Sequence, residues 1–335
     1  MTVLKRSQSF AIDLDIRPLA GRIGAEIGNV RLAGDLPEAA IAVIEAALAK
    51  YKVIFFRNQN QLDDAEQERF AARLGDIVTH PTSPSRAGTA ILELDSTDGR
   101  GRADRWHTDI TFLDAYPKIS VLRGLVIPPY GGDTVWANTV AAYNELPPAL
   151  KTLAEGLWAV HSNLYDYAAA RPQASTAATK RYEEVFTSTV YETDHPVVRV
   201  LGTAERSLVL GYFVRRFVGY SQSDSNHLFE MLQSHVTRLE NTVRWRWHAG
   251  DVAIWDNTAT QHCAVNDYGD QKRVVRRSTV RGEVPVSVDG RKSVTRCKTA
   301  KPAASGPAKQ PASAALPCKP GEVSLVKQAR LGGRQ

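Results

Sequence analysis

An α+β protein built around a β-sandwich or barrel is the architecture this sequence predicts, on three observations. Short apolar runs bounded by Gly, Pro and Asp clusters such as "PPYGGDT" recur along much of the chain, the pattern of strands joined by turns. A few amphipathic helical stretches flank these runs. The βαβ alternation of a parallel sheet is missing, which leaves helices supporting a β core.

Taken in order, residues 10–32 read as strands with glycines at the bends of "AGRIGAEIGNV". Asp35 and Pro37 then signal a helix start, an Ala-rich amphipathic run follows, and "KVIFF" switches to a strand. "DDAEQERFAARLG" is a second helix. "DRWHTDITF", residues 104–112, alternates Trp, Thr, Ile and Phe with polar residues and reads as a strand or its end. Several strands are expected from Arg105 to Asn138, and residues 139–160 look helical. The polar, Ala- and Tyr-rich stretch 162–189 lacks periodicity and suits a long loop over a site. "HPVVRVL" and "SLVLGYF" are strands, "DSNHLFEMLQSHVTR" is a helix, and "TVRWRWHAGDVAIWDN" and "RVVRRSTVRGEV" complete the strands.

Composition narrows the class. At 335 residues with 43% hydrophobic content the chain can bury a sizeable core. No run of eighteen apolar residues appears, and two acids interrupt the apolar stretch near the start, so neither a membrane span nor a secretory signal is read and a cytoplasmic protein is expected. Three cysteines without C-x-x-C spacing support neither a disulfide framework nor a thiolate zinc site. The net charge of +6 is uneven. Residues 291–335 hold ten Lys or Arg against the single acid Glu322, leaving 32 basic and 35 acidic residues in 1–290. The body is thus mildly acidic, and no specific nucleic-acid partner is expected. The tail is rich in Ala, Pro, Ser and Lys and reads as disordered. One domain over 1–290 and a basic tail over 291–335 is the expected organisation.

His107 and Asp109 sit two apart in "DRWHTDITF", so on a strand their side chains project to one face. His262 follows at a strand end in "WDNTATQH". Two His and one carboxylate, with the third ligand far along the chain, match the arrangement that leaves open positions on non-haem Fe(II), although zinc accepts the same ligands. In "QKRVVRRSTV" Arg273 and Arg277 are four apart and share a strand face, while Arg276 points the other way. Two guanidinium forks beside a metal ligand form a site for a dianion. The tryptophans Trp106, Trp136, Trp245, Trp247 and Trp255 are read as core or rim aromatics. His195, His227 and His235 are read as structural or exposed.

"WHTDITF", "PPYGGDTVWANTVAAY", "WDNTATQH" and the following R-x-x-x-R together resemble the Fe(II)/2-oxoglutarate dioxygenases of the taurine dioxygenase and 2,4-dichlorophenoxyacetate dioxygenase family, from about residue 10 to about 288. The resemblance implies a double-stranded β-helix, or jelly-roll, core with supporting helices. It implies Fe(II) on His107, Asp109 and His262, with 2-oxoglutarate and dioxygen as cosubstrates. It puts the distal carboxylate of 2-oxoglutarate on Arg273 and Thr134, and Arg277 near both the keto-acid end and the substrate's anionic group. His80 corresponds to a histidine that contacts a substrate sulfonate in the taurine enzyme. Where that enzyme has an Asn for the substrate amine this chain has Ala103, and "RADRWHTD", "NTVAAY" and "YDY" look closer to the bacterial alkylsulfatase branch. Ile110 and Phe213 would line an apolar path for an alkyl chain. The expected reaction is hydroxylation next to an anionic group, cleaving alkyl sulfate esters to aldehyde and sulfate. The expected partner is a small anionic organic substrate, and the expected assembly a homo-oligomer, dimer or tetramer. The alternatives are a taurine/sulfonate or aryloxyalkanoate dioxygenase, a zinc hydrolase on the same ligands, and a polyanion-binding protein acting through the basic tail.

Overall fold

Strand "VIFF", residues Val53–Phe56, shows how this sequence divides its core, because all four of its residues are buried. Side chains alternate across a strand. Ile54 and Phe56 therefore join one apolar cluster with Ile41, Ile44 and Leu48 of the helix Glu38–Tyr51. Val53 and Phe55 join another with Trp136, Trp245 and Trp255. The computed structural model describes residues 13–97, 103–165 and 189–300. Within them, helices cover one face of a main sheet and a tryptophan-rich layer fills the other.

The helix Glu38–Tyr51 buries Ala40, Ile41, Ile44, Ala47 and Leu48, the three-and-four spacing of one face. It ends at Lys52, whose left-handed φ of 66° lets its N–H bond Leu48 O at 2.8 Å. The helix Asp64–Ala72 starts on Asp63, whose side chain accepts from the Glu66 N–H. Its buried Gln67 donates to Val121 O and Arg276 O, fastening the helix to the sheet.

That sheet has eight strands among the described residues. Asp15–Pro18, Ala25–Gly28, Val53–Phe56, Val252–Asp256, Ile119–Val126, Val274–Val280 and Ile77–Val78 follow one another in space, and Leu92–Asp95 also pairs with Val274–Val280. Only Ala25–Gly28 against Val53–Phe56 is parallel in this sheet. A three-stranded sheet of Thr242–Trp245, Thr134–Asn138 and Thr260–Ala264 sends Trp136 and Trp245 into the shared layer. A four-stranded sheet follows the order Val214–Phe217, Trp158–Ser162, Thr189–Pro196, Val294–Ala300. The fold is mixed helix and sheet, as the sequence predicts.

Three segments depart from expectation. Residues 139–160 are not continuously helical: helices Thr139–Asn144 and Pro148–Gly156 are split at Pro147, and Trp158–Ser162 is a strand. Proline cannot continue a helix, and "WAVHS" finds strand partners on both sides. Most of the long loop expected over 162–189 lies outside the described residues, which resume in the strand Thr189–Pro196. The basic tail does not begin unstructured at residue 291. Val294–Ala300 forms a strand paired with Thr189–Pro196 from Val294 opposite Asp194 to Ala300 opposite Thr189. Its side chains are mostly polar, so its order comes from ladder hydrogen bonds with a partner far away in sequence.

Candidate active site

The two histidines meet because their backbones do. His107 N bonds His262 O at 3.0 Å and His262 N bonds His107 O at 2.8 Å, an isolated antiparallel pair. Directly opposed residues place their side chains together, and the imidazole centroids are 4.1 Å apart. Beyond this bridge the chain does not continue as the strand that "DRWHTDITF" predicts; it turns. Asn257 clamps the turn, its Oδ1 accepting from Asp109 N at 2.9 Å and its Nδ2 donating to Asp109 O and Pro117 O. Ile110 follows with φ 60°, a conformation uncommon for a β-branched residue. The convergence of His107 and Asp109 is correctly anticipated, but a turn produces it rather than strand alternation.

One ligand atom from each of His107, Asp109 and His262 lies within 4.8 Å of the others, and all three residues are buried. The chemistry of this donor set suits a divalent metal. His107 Nδ1 sits 2.7 Å from Arg105 O. A carbonyl can only accept, so Nδ1 carries a hydrogen, and Nε2 lies 3.6 Å from Asp109 Oδ1. His262 Nε2 approaches the same oxygen at 3.9 Å. Burial, then the neighbouring His107, holds His262 neutral well below the usual imidazole range. Burial alone would raise the Asp109 carboxyl, but Arg277, His262 and His107 outweigh it and hold it well below the usual carboxylate range. The result is a neutral His262 beside an ionised Asp109, protonation states that metal binding requires.

One side of this centre is a cleft bordered by His107, His262, Thr134, Arg273 and Arg277. Arg273 donates through Nε to Gly132 O at 3.0 Å, and its Nη2 is 3.4 Å from Thr134 Oγ1. Gly132 has φ 69°, and a Cβ there would stand 3.1 Å from Arg273 Cδ, so glycine suits both the turn and the packing. Trp247 Nε1 also donates to Thr134 Oγ1 at 3.0 Å. With Trp247 and Arg273 as donors to its oxygen, the Thr134 hydroxyl is left to donate its own hydrogen elsewhere. Burial lowers the Arg273 pKa from its usual value, and among the described residues no carboxylate lies within ion-pair distance of it. Arg277 Nη1 pairs with Asp109 Oδ1 at 2.5 Å. Arg276, on the opposite face, is tied to Asp64 and Glu93 away from the site.

The other side is apolar. Ile110, Phe112, Tyr212 and Phe213 form one buried cluster, with the Phe213 ring centred 6.2 Å from His107 and 5.3 Å from Phe112. The His80 ring stands 6.5 Å from Phe112. Its Nδ1 accepts from the N–H groups of Thr82 and Ser83. Burial, reinforced by Arg277, lowers its pKa to about 3, although the residue as a whole is only half-buried. The neutral ring therefore carries its hydrogen on Nε2. Ala103 borders the cleft, with no side-chain hydrogen-bonding group.

The residues read in the sequence as site candidates, His80, His107, Asp109, Ile110, Thr134, Phe213, His262, Arg273 and Arg277, fall in this one region. Asn257 and Trp247 were not singled out as site residues. Asn257 lies inside "WDNTATQH", where its position between Trp255 and His262 is a usable signal. Trp247 carries none, because its contact with Thr134 spans more than a hundred residues.

The chain matches the family profile of taurine catabolism dioxygenase TauD, TfdA family, over residues 15–279. It is 62% identical over 287 residues to an alpha-ketoglutarate-dependent sulfate ester dioxygenase of Pseudomonas putida, covering 85% of this chain and 95% of that protein. It is 56% identical over 284 residues to an alkylsulfatase of Acinetobacter baylyi, covering 84% and 89%. Among solved structures, a taurine dioxygenase from Burkholderia xenovorans superposes with a TM-score of 0.69 at 36% identity, covering 84% of this chain and 94% of that one. The structure of AAD-2 in complex with Mn(II) and N-oxalylglycine superposes with a TM-score of 0.66 at 25% identity, covering 82% and 99%. The profile match, the identities and the buried His–Asp–His set agree: this chain belongs to the TauD/TfdA family of dioxygenases.

Proposed function

We propose that this protein is a non-haem Fe(II)- and 2-oxoglutarate-dependent dioxygenase that cleaves alkyl sulfate esters oxidatively. The observation that carries the reading is the buried His107, Asp109 and His262 set, with a cationic pocket on one side and an apolar wall on the other. The sulfate ester dioxygenase and alkylsulfatase relatives support the choice of substrate class. We read the main sheet and the sheet that faces it across the tryptophan layer as the two halves of a double-stranded β-helix. The functional unit is taken to run to residue 300, with the basic tail after it.

In this reading His107, Asp109 and His262 hold Fe(II), which supplies the oxidising power once the keto-acid and dioxygen are bound. Arg273 and the Thr134 hydroxyl bind the distal carboxylate of 2-oxoglutarate. Arg277 orients Asp109 and faces the anionic groups gathered there. His80 offers its Nε2 hydrogen to a sulfate oxygen, while Ile110 and Phe213 cover the alkyl chain and exclude water. Hydroxylation of the carbon bearing the sulfate oxygen gives an adduct that collapses to aldehyde and sulfate. One ester, one 2-oxoglutarate and one dioxygen thus yield aldehyde, sulfate, succinate and carbon dioxide.

The test has two parts. Anaerobic titration with Fe(II) and 2-oxoglutarate should develop the visible charge-transfer absorbance of the chelate. Hexyl sulfate in air should then release sulfate and succinate in equal amounts. Preferential turnover of taurine or of an aryloxypropionate would move the protein to another branch of the family, and activity independent of 2-oxoglutarate would overturn the reading.

A further inference from the structure

The turn 109–113 serves both sides of the site: Asp109 opens it, and Ile110 and Phe112 form part of the apolar wall. Its own backbone contributes one hydrogen bond, Leu113 N to Ile110 O at 3.0 Å. Asn257 holds its first residue, Asp109, and the four-stranded sheet fastens the residues after Ile110. Thr193 Oγ1 donates to Phe112 O at 2.8 Å, and His195 Nε2 lies 2.7 Å from Thr111 O and 3.1 Å from Leu113 O. His161 Nδ1 lies 2.9 Å from Thr111 Oγ1. Thr193, His195 and His161 are fully buried. Because carbonyls only accept, His195 carries its hydrogen on Nε2, and its Nδ1 accepts from Ser293 Oγ at 2.7 Å. The sheet thus grips three consecutive residues of a turn whose Ile110 takes an uncommon backbone conformation.

We propose that Thr193 and His195, seconded by Ser293, are positioning residues that fix the 109–113 turn, and thereby set the shape of the Ile110–Phe112 wall. The proposal rests on the reading of Asp109 as a metal ligand and of that wall as the substrate surface. It brings the segment just past residue 290 into the active-site architecture, since Ser293 introduces the strand Val294–Ala300 that pairs beside His195. Among the described residues, the side-chain hydrogen bonds of Arg273 and Thr134 run to Gly132, Trp247 and each other, not to the turn. The device should therefore act on the ester and on coupling, and leave 2-oxoglutarate binding alone.

The experiment compares full-length wild type with Thr193→Val, which keeps the shape and removes the donor, Thr193→Ser, which restores the hydroxyl, and Ser293→Ala. The measurements are KM for hexyl sulfate, succinate formed per sulfate released, and the Kd of 2-oxoglutarate from the anaerobic charge-transfer absorbance. Thr193→Val should raise KM about fivefold or more and produce succinate in excess of sulfate, with the 2-oxoglutarate Kd within twofold of wild type. Thr193→Ser should return both values towards wild type. Ser293→Ala should shift them in the same direction as Thr193→Val, and it decides the matter if Thr193→Val does not fold. Wild-type KM and coupling in the folded variants overturn the proposal, as does an equal loss of ester and 2-oxoglutarate affinity. A wild-type protein that releases no sulfate instead overturns the proposed function itself.

Discussion

The two sides of the metal centre are built differently. The side proposed to hold 2-oxoglutarate is assembled from sheet strands and their immediate ends: Thr134 begins the strand Thr134–Asn138, and Arg273 directly precedes Val274–Val280. Its polar groups are locked to each other and to Trp247. The substrate side hangs on the turn 109–113 and on Tyr212 and Phe213, whose backbones lie outside regular strands. That turn is held from a separate sheet. The contrast suggests a division of labour. On the proposed reading, the cosubstrate common to the reaction meets rigid, preorganised groups, while substrate choice is left to parts that can be reshaped without rebuilding the core.

Breaking the centre that both sides share should give the largest effect. Asp109→Ala, and likewise His107→Ala or His262→Ala, should abolish turnover and the anaerobic charge-transfer absorbance, since each removes one of three ligand atoms. Full activity in Asp109→Ala would remove the metal assignment. Damage on one side should be selective. Arg273→Ala should raise the requirement for 2-oxoglutarate by about 2 to 5 kcal/mol in binding, the scale for truncating one partner of a buried charge pair. The KM for hexyl sulfate should stay nearly unchanged. An unaltered 2-oxoglutarate requirement would show that another cation holds its distal carboxylate.

The same contrast explains what could be read in advance. His107, Asp109, His262, Arg273 and Thr134 were legible because their chemical types and local motifs are distinctive. Arg273 and Arg277 also follow strand geometry, sharing a face that Arg276 does not. The turn at Ile110 was not legible, since alternation in "DRWHTDITF" predicts an extended chain and the side chains that hold the turn, Asn257 at 148 residues' separation among them, lie far away in sequence. Nor were Thr193 and His195, whose partners lie 81 to 84 residues away. The strand Val294–Ala300 was hidden by a basic composition that resembles the tail beyond it.

That last point gives a test of where the functional unit ends. Truncation after residue 290 should destabilise the protein, because it removes a seven-residue strand and leaves His195 Nδ1 buried without its Ser293 donor. The orphaned acceptor alone should cost about 1 to 3 kcal/mol. Truncation after residue 300 should leave the denaturation midpoint and turnover close to wild type. Equal midpoints for the two truncations would mean that the strand contributes nothing.

Acid should loosen the same sheet. Burial, the largest cause, lowers the His195 pKa from 6.5 to about 4, so between these values the unfolded chain binds a proton that the folded one refuses. Stability from this group is complete above about pH 6.5 and is lost as pH falls towards 4. Between pH 6.5 and 5 the loss amounts to about 2 kcal/mol, at 1.36 kcal/mol per unit. Urea denaturation of the wild type and of His195→Gln over this range should show the shallower dependence in the variant. Parallel slopes would mean that His195 is not the titrating group.

The smallest expected effect examines the apolar wall one methylene at a time. Burial of a CH2 group contributes about 0.8 kcal/mol, so each added carbon in a series of linear alkyl sulfates should improve kcat/KM by about fourfold while the chain still lies against protein. Ile110 and Phe213 belong to the cluster beside the metal centre, so Phe213→Ala should flatten this dependence by exposing part of the chain to water. The 2-oxoglutarate requirement should not follow, because the carboxylate site proposed at Arg273 and Thr134 lies on the other side. Retention of the full chain-length slope in a folded Phe213→Ala protein would place the alkyl group elsewhere. A 2-oxoglutarate requirement that rises along with it would mean that the two sides are mechanically coupled, and that the contrast between strand-built and turn-built halves does not divide their functions.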